Sequence, residues 1–179
     1  MGRVPIMEEY NVLRANRKIK QGYYKLYVDT DQVVSGKYNN NKKAGIWTYY
    51  KQDNSISLRY NFDTDSVIYF NDEYDSSEYD RPLLYLGSMS KAKCIVAYNL
   101  VYPEVAQENG WYGKILVDIY VDETGKAYDF KSQNRKHKTL DNEAIRVVKL
   151  IPNQWLPAIK NGIPVKSKYT FPVFFILLN

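Results

Sequence analysis

The fold of the second half of the chain is decided by the stretch GKILVDIYVDETGKAYDFK, residues 113–131. In its first nine residues, the branched apolar side chains of Ile115, Val117, Ile119 and Val121 alternate with Lys114, Leu116, Asp118 and Tyr120. This alternation is typical of a strand with one buried face. Residues 122–125, Asp-Glu-Thr-Gly, then predict a tight turn with glycine where φ becomes positive. The sequence therefore predicts an antiparallel hairpin whose returning strand is residues 127–131.

Two helices are predicted around this hairpin. Residues 103–109 begin with proline, carry a glutamate in the first turn and precede a glycine. Residues 139–151 place apolar side chains on one face, with Thr139 as the candidate N-cap and Pro152 just past the end. Residues 94–101 are also apolar, but periodicity alone does not decide between helix and strand there.

The last predicted strand is residues 165–178, a long run of β-branched, aromatic and aliphatic residues. Pro172 interrupts this run and has no amide hydrogen to give to a neighbouring strand. We therefore predict that the strand lies at a sheet edge, at least along the side to which Pro172 points.

A series of residues in one register carries a family resemblance. It comprises Tyr102, Pro103, Ala106, Gly113, residues 121–126, Leu140, Asp141, Ala144, Trp155, Pro157, Ala158, Asn161, Gly162, Pro164, Val165 and residues 172–174. In order and spacing, residues 99–179 resemble the C-terminal domain of the TonB family. The resemblance implies two helices packed on a small antiparallel sheet, in a non-catalytic protein-binding module of the Gram-negative periplasm.

The resemblance also implies a partner. It implies capture of a protein or peptide strand, the short TonB box of an outer-membrane receptor's N-terminal segment, by pairing with the sheet edge, and hence a link to receptor-dependent transport. The predicted partner-binding edge is Lys166, Ser167, Lys168, Tyr169, Thr170 and Phe171. The second predicted partner-binding segment, before the first predicted helix, is Asn99, Leu100, Val101, Tyr102 and Pro103.

The N-terminal part of the chain contains an internal repeat. The pattern of residues 22–27, a glycine followed by tyrosines and an apolar residue, recurs 23 residues later at 45–50, with residues 39–45 as the turn between strands. Residues 56–62 resemble a third copy, with which the array is expected to end. Over residues 20–62 the pattern resembles the MORN-like repeats of bacterial surface and periplasmic proteins.

Residues 72–80 are acidic and poor in aliphatic side chains, as expected of an exposed connection. We therefore predict an α+β chain with two modules. Residues 1–75 form an N-terminal antiparallel β meander of MORN-like hairpins, and residues 76–179 form a TonB C-terminal-like domain.

The composition argues against several function classes. The net charge is +5, but basic and acidic residues are interleaved, and the basic run 135–138 has no aromatic neighbours for base stacking, so no nucleic-acid partner is predicted. One histidine, one cysteine and no glycine-rich phosphate loop predict no catalytic residues and no cofactor. Asp118, Asp122, Glu123 and Asp129 lack the spacing of a calcium loop, so no metal site is predicted either.

No stretch has the roughly 18 to 20 apolar residues needed to span a bilayer, and no signal-peptide core follows Met1. This leaves a cytosolic protein, or a periplasmic one whose targeting or anchoring segment has been removed, and the resemblance favours the second. The alternative function is a structural or immunity-like interaction protein that acts through the MORN-like repeats, with the TonB-like domain as scaffold. Pairing of residues 165–170 on both sides would favour that alternative.

Overall fold

The computed structural model describes residues 4–71, 78–133 and 137–177. The chain divides into two compact units, residues 1–73 and 74–179. Of the acidic run expected to connect two modules, residues 72–77 lie outside the described residues.

The N-terminal unit is one antiparallel sheet in which each strand pairs with the next along the chain. Its strands are β1 (Ile6–Leu13), β2 (Asn16–Val28), β3 (Asp31–Asn39), β4 (Lys42–Tyr50), β5 (Ile56–Asn61) and β6 (Ser66–Phe70). The predicted antiparallel meander is confirmed. Strands β1 and β6 were not predicted, because neither buries a residue and neither shows a clear apolar alternation. The sheet therefore extends beyond the third repeat copy.

The turn between β3 and β4 is shorter than predicted. Only Asn40 and Asn41 lie between the strands, with φ of 51° and 67°. A two-residue turn with both φ values positive matches the twist of paired strands, and asparagine tolerates that conformation. The predicted turn of residues 39–45 was wrong in length, since residues 42–45 already belong to β4.

Trp47 lies at the centre of the N-terminal core and is 1% exposed. Its ring centroid lies 5.2 Å from those of Tyr24 and Tyr38, and its indole N–H donates to the Lys37 carbonyl at 3.1 Å. A Cβ at Gly36 would lie 2.3 Å from the indole, so only glycine leaves room for this ring. Trp47 fills a core, as its place beside a strand start predicted.

The 23-residue repeat also includes a lysine, at residues 20 and 43. Lys20 Nζ lies 4.2 Å from the Tyr10 ring centroid, and Lys43 Nζ lies 4.5 Å from that of Trp47. Both ammonium groups are placed for cation–π attraction. A glycine with positive φ follows each lysine two residues later, so the repeat is geometric as well as compositional.

The C-terminal unit contains one three-stranded antiparallel sheet, two short strand pairs and helices. Its elements are β7 (Leu84–Tyr85), α1 (Met89–Asn99), α2 (Glu104–Glu108), β8 (Gly113–Val121), β9 (Ala127–Ser132), α3 (Lys138–Val148), β10 (Trp155–Leu156), β11 (Ala158–Lys160), β12 (Ile163–Val165) and β13 (Ser167–Phe175). The strand order of the main sheet is β13-β8-β9, while β7 pairs with β10 and β11 with β12. The core holds alternate residues of β8 and the apolar face of α3.

Three helices, rather than the two predicted, occur in the described parts of the unit. The ambiguous apolar stretch is helical as far as Asn99, in a helix whose N-cap is Ser88. The predicted cap of α3 was wrong: His137 is the N-cap residue, and Thr139 Oγ1 is buried without a hydrogen-bond partner among the described residues. Helix α3 also ends at Val148, earlier than predicted, so Pro152 is not what ends it.

The turn between β8 and β9 is held by its own side chains and packs against the Trp155 carbonyl. Asp122 Oδ1 accepts from Thr124 N at 2.9 Å, from Thr124 Oγ1 at 2.7 Å and from Lys126 N at 3.0 Å, and these bonds lower the Asp122 pKa. Gly125 has φ of 83°, and a Cβ there would lie 2.4 Å from the Trp155 carbonyl oxygen. The turn therefore requires glycine for its conformation and for its packing.

Candidate functional site

Strand β13 lies at the edge of the three-stranded sheet. It pairs with β8 over its whole length, from Ser167 opposite Val121 to Phe175 opposite Gly113. Among the described residues no strand pairs with its other side. The edge position predicted from Pro172 is confirmed.

The register shows which backbone groups of β8 point toward β13. Gln133 N donates to the Leu116 carbonyl at 3.0 Å, so the backbone of Leu116 faces β9. Backbone direction alternates along a strand, so the next residue, Val117, faces β13, and so does Ile119. The backbone groups of their partners in β13 must therefore point toward β8.

Those partners are Phe171 and Tyr169, whose backbone groups are used within the sheet. The backbone groups of Lys168, Thr170 and Pro172 point outward by the same alternation. Pro172 thus has its missing amide on the open side, which is where a sheet tolerates proline. Among the six predicted edge residues, the amides that point outward are those of Lys168 and Thr170. The backbone groups of Ser167, Tyr169 and Phe171 point toward β8. Lys166 precedes the strand.

A buried carboxylate holds the edge strand from the outer face of the sheet. Asp118 on β8 is 4% exposed and accepts hydrogen bonds from Lys168 Nζ at 2.8 Å, Thr170 Oγ1 at 2.7 Å and Gln133 Nε2 at 2.7 Å. Burial alone would raise the Asp118 pKa, but these three bonds bring it below its ordinary value. Lys168 and Thr170, the two predicted edge residues with outward amides, are thus fixed through one side chain.

Asp118 should make stability depend on pH in the acid range. The pKa of the folded carboxyl lies below the unfolded value of about 3.9, so its contribution is fully present above that pH and is lost as pH falls through the folded pKa. We expect Asp118→Asn to be less stable than wild type at neutral pH, by a margin that shrinks on acidification. Urea unfolding from about pH 6 to pH 2 tests this. A margin independent of pH would contradict it.

The second predicted binding segment is tied to α3. Val101 N donates to Glu143 Oε1 at 2.7 Å, and the Asn99 carbonyl accepts from the Arg146 guanidinium at 2.6 Å. Tyr102 Oη donates to the Trp111 carbonyl at 2.6 Å. The Tyr102 ring packs against Phe175 at 5.5 Å, which places the segment beside the end of β13.

These contacts use several of the segment's polar groups internally. Leu100 is half-buried against the core and Pro103 caps α2, but the Val101 side chain is 64% exposed. Contact of this segment with a partner stays a prediction, and the exposed Val101 side chain is where such a contact has most room.

The reactive side chains occupy structural positions. Cys94 is buried in α1, and burial raises the pKa of its thiol. His137 stacks on Trp111 with ring centroids 4.3 Å apart. Within the described ranges, no group of three or more histidine, cysteine, aspartate or glutamate residues is placed to hold a metal ion.

Comparison with known families adds an independent observation. Residues 98–177 match the family described as Gram-negative bacterial TonB protein C-terminal. This part of the chain is TonB-like. No curated protein and no solved structure matches the chain.

TonB C-terminal domains are non-enzymatic protein-interaction domains of the Gram-negative periplasm. The match therefore suggests a TonB-like role in periplasmic protein interaction for this chain. It covers the whole of β13 and β8 and the segment at residues 99–103, so both predicted binding regions lie inside the TonB-like domain. No helix in the described residues is long and apolar enough to cross a membrane.

Proposed function

We propose that the TonB-like domain captures an extended strand of a partner protein along the outer edge of β13, in the Gram-negative periplasm. The observation that carries this proposal is the open side of β13, where Lys168 and Thr170 direct their amides outward. The partner that fits the family best is the N-terminal segment of an outer-membrane receptor, and receptor-dependent transport is the process it would serve.

The edge is protected against self-association, yet its backbone groups stay available to a partner strand. Exposed edges invite self-association, and natural proteins protect them with lysine and proline, which here are Lys168 and Pro172. Asp118 ties down the Lys168 and Thr170 side chains on the outer face of the sheet, so the strand is ordered before a partner arrives. An edge already in its bound conformation lowers the entropy cost of pairing.

The geometry also bounds the affinity. Outward backbone groups recur at alternate residues from Lys168 to Phe174, so a partner strand forms a handful of hydrogen bonds. Each contributes only about 0.5–1.5 kcal/mol net. We therefore expect micromolar dissociation constants, in keeping with transient capture.

Thr170→Pro tests the outward edge directly. The substitution removes an amide that points away from β8, and β13 already holds proline in the same orientation two residues later, so the fold should survive. We expect at least tenfold weaker binding of receptor N-terminal peptides, because a partner carbonyl loses its donor. Isothermal titration of wild type and variant measures this.

Thr170→Ala is the matched control, because it removes the hydroxyl bond to Asp118 but keeps the amide. Binding by the control should stay close to wild type. Equal affinities of Thr170→Pro and Thr170→Ala, or no binding by the wild type, would overturn the proposal. Tyr169→Pro is unsuitable for this test, since the Tyr169 amide faces β8 and its loss would damage the sheet itself.

For the N-terminal unit we infer a MORN-like hairpin array. Support comes from the repeated geometry of Lys20 with Gly22 and of Lys43 with Gly45. The alternative, in which this array is the working part of the protein, would have been favoured by a last strand paired on both sides, whereas in the described residues β13 pairs only with β8.

A further inference from the structure

The sheet has a second edge, at β9, and a groove lies beside it. The groove, of about 390 Å³, lies between β9 and α3 and is called the β9–α3 groove below. It is lined on the strand side by Phe130, Lys131 and Ser132, and on the helix side by Lys138, Asp141 and Ile145. Among the described residues, β9 pairs only with β8.

Backbone groups of β9 also point outward at alternate positions. Because Gln133 and Lys131 face β8, Phe130 and Ser132 direct their amides and carbonyls toward the open side. The side chains of these two residues line the groove, so the same residues offer pairing groups and a surface for a partner's side chains. An exposed sheet edge can add a peptide strand, and pockets beside it receive alternate side chains of that strand.

The outer edge of β9 already binds one carboxylate. Asp129 Oδ1 accepts from the outward Phe130 amide at 2.8 Å, and Asp129 Oδ2 lies 2.7 Å from Lys131 Nζ. A residue of the strand itself thus occupies a main-chain donor that an incoming strand would use. Removal of this side chain should free both the amide and the lysine.

The acidic residue that lines the groove, Asp141, is satisfied internally, since it accepts a hydrogen bond from Ser132 Oγ. The two lysines at the ends of α3 differ from Asp141 in this respect. Lys138 lines the groove, and Lys149 Nζ lies 5.7 Å from the Phe130 ring centroid. In the part of the chain that the structure describes, neither has an ion-pair partner. Besides the bond from Lys131, the charge of Lys149 also lowers the pKa of Asp129. The groove therefore presents two lysines without a direct ion pair beside an apolar centre formed by Phe130 and Ile145.

We propose that the β9–α3 groove is a second strand-binding site, whose occupant is an extended acidic segment of a partner protein with an apolar residue flanked by acidic residues. Helix α3 and its cap separate Lys138 from Lys149 by about 16 Å along the axis. In a strand, side chains four residues apart lie about 13 Å apart on one face. The matching pattern is therefore acidic, any residue, apolar, any residue, acidic, with the apolar side chain on Phe130 and Ile145.

A defined probe tests this site. The probe is a fluorescein-labelled heptapeptide, Thr-Glu-Thr-Val-Thr-Glu-Thr, and its control carries glutamine in place of both glutamates. Fluorescence anisotropy with the full chain should show micromolar binding of the acidic peptide that weakens with added salt, and at least tenfold weaker binding of the control. Binding of both peptides with equal affinity, or of neither, would overturn the proposal.

Two variants assign the binding to the groove. Replacement of both Lys138 and Lys149 by glutamine should weaken binding of the acidic peptide about tenfold, since both side chains are exposed and the fold does not depend on them. Asp129→Ala should instead strengthen binding, about threefold or more, because the Phe130 amide and Lys131 become available. A merely destabilising change would not tighten binding, so weaker or unchanged binding by Asp129→Ala counts against the site.

Thr170→Pro separates this site from the β13 edge. It should leave binding of the acidic peptide unchanged, because Thr170 lies in β13, at the opposite edge of the sheet from β9. If Thr170→Pro weakens binding as much as the double lysine variant does, the peptide uses the β13 edge and the second site is refuted. Failure of receptor peptides to bind β13 would not affect this result.

Discussion

Trp155→Ala is expected to destabilise the chain by about 3–5 kcal/mol, the range for removing a buried tryptophan or phenylalanine from a core. Trp155 is 8% exposed, and its ring centroid lies 4.7 Å from that of Tyr85 and 5.4 Å from that of Tyr169. Its backbone carbonyl also lies over Gly125 in the turn between β8 and β9. The ring therefore joins the short β7–β10 pair to the edge strand, and its loss leaves a cavity between them.

Urea unfolding followed by circular dichroism measures this cost. The matched control is Tyr112→Ala, which removes an aromatic ring that is 72% exposed and should change stability by less than about 0.5 kcal/mol. Because Tyr169 lies in β13, Trp155→Ala should also loosen the proposed binding edge and weaken capture of receptor peptides. A loss of stability below about 1 kcal/mol would show that the ring contributes little to the core.

The parts of the C-terminal unit that sequence predicted well are those with a strong local cause. The alternation in β8 and the Asp-Glu-Thr-Gly turn predict the hairpin from local sequence alone. Pro172 predicted an edge because a missing amide excludes one side of a strand from pairing, and the register places that side outward. The family resemblance then pointed to this edge as the partner-binding site, which stays a prediction.

The predictions that were undecided or wrong, for helix α1 and for the cap of α3, also have physical reasons. Helix α1 was ambiguous because its apolar residues show little of the periodicity that separates helix from strand. Thr139 has the right chemistry for a cap, but the helix begins one residue earlier and its hydroxyl is buried. Boundaries depend on tertiary packing, which a local pattern does not contain.

Asp118 illustrates what a pattern can and cannot show about the site. Its place on the outer face was readable from the alternation of β8, but its partners Lys168 and Thr170 are fifty or more residues away in sequence.

The β9–α3 groove was not predictable either, since it arises from the distance between a strand and a helix. The carboxylates near the hairpin were considered for metal binding, whereas Asp118, Asp122 and Asp129 accept hydrogen bonds from the protein itself.

In the N-terminal unit, Trp47→Ala should cost about 3–5 kcal/mol, because it removes the largest fully buried side chain of the sheet. The ring contacts Tyr24, Tyr38 and Phe62, with centroids between 5.2 and 5.9 Å away, and lies under the Lys43 ammonium. Tyr23→Ala is the control, since Tyr23 is 64% exposed and should lose little. Urea unfolding by circular dichroism compares the two variants.

Gly36 makes the Trp47 prediction more specific. A methyl group at residue 36 would overlap the indole, so Gly36→Ala alone should destabilise the chain by about 1–3 kcal/mol. In the Trp47→Ala background the overlap disappears, and the same change should be neutral or slightly stabilising, because alanine has less freedom than glycine in the unfolded chain. A double-mutant cycle over these two positions should therefore show strong coupling. If the effects of the two substitutions add, Trp47 does not pack on Gly36 and the repeated hairpin core must be arranged differently.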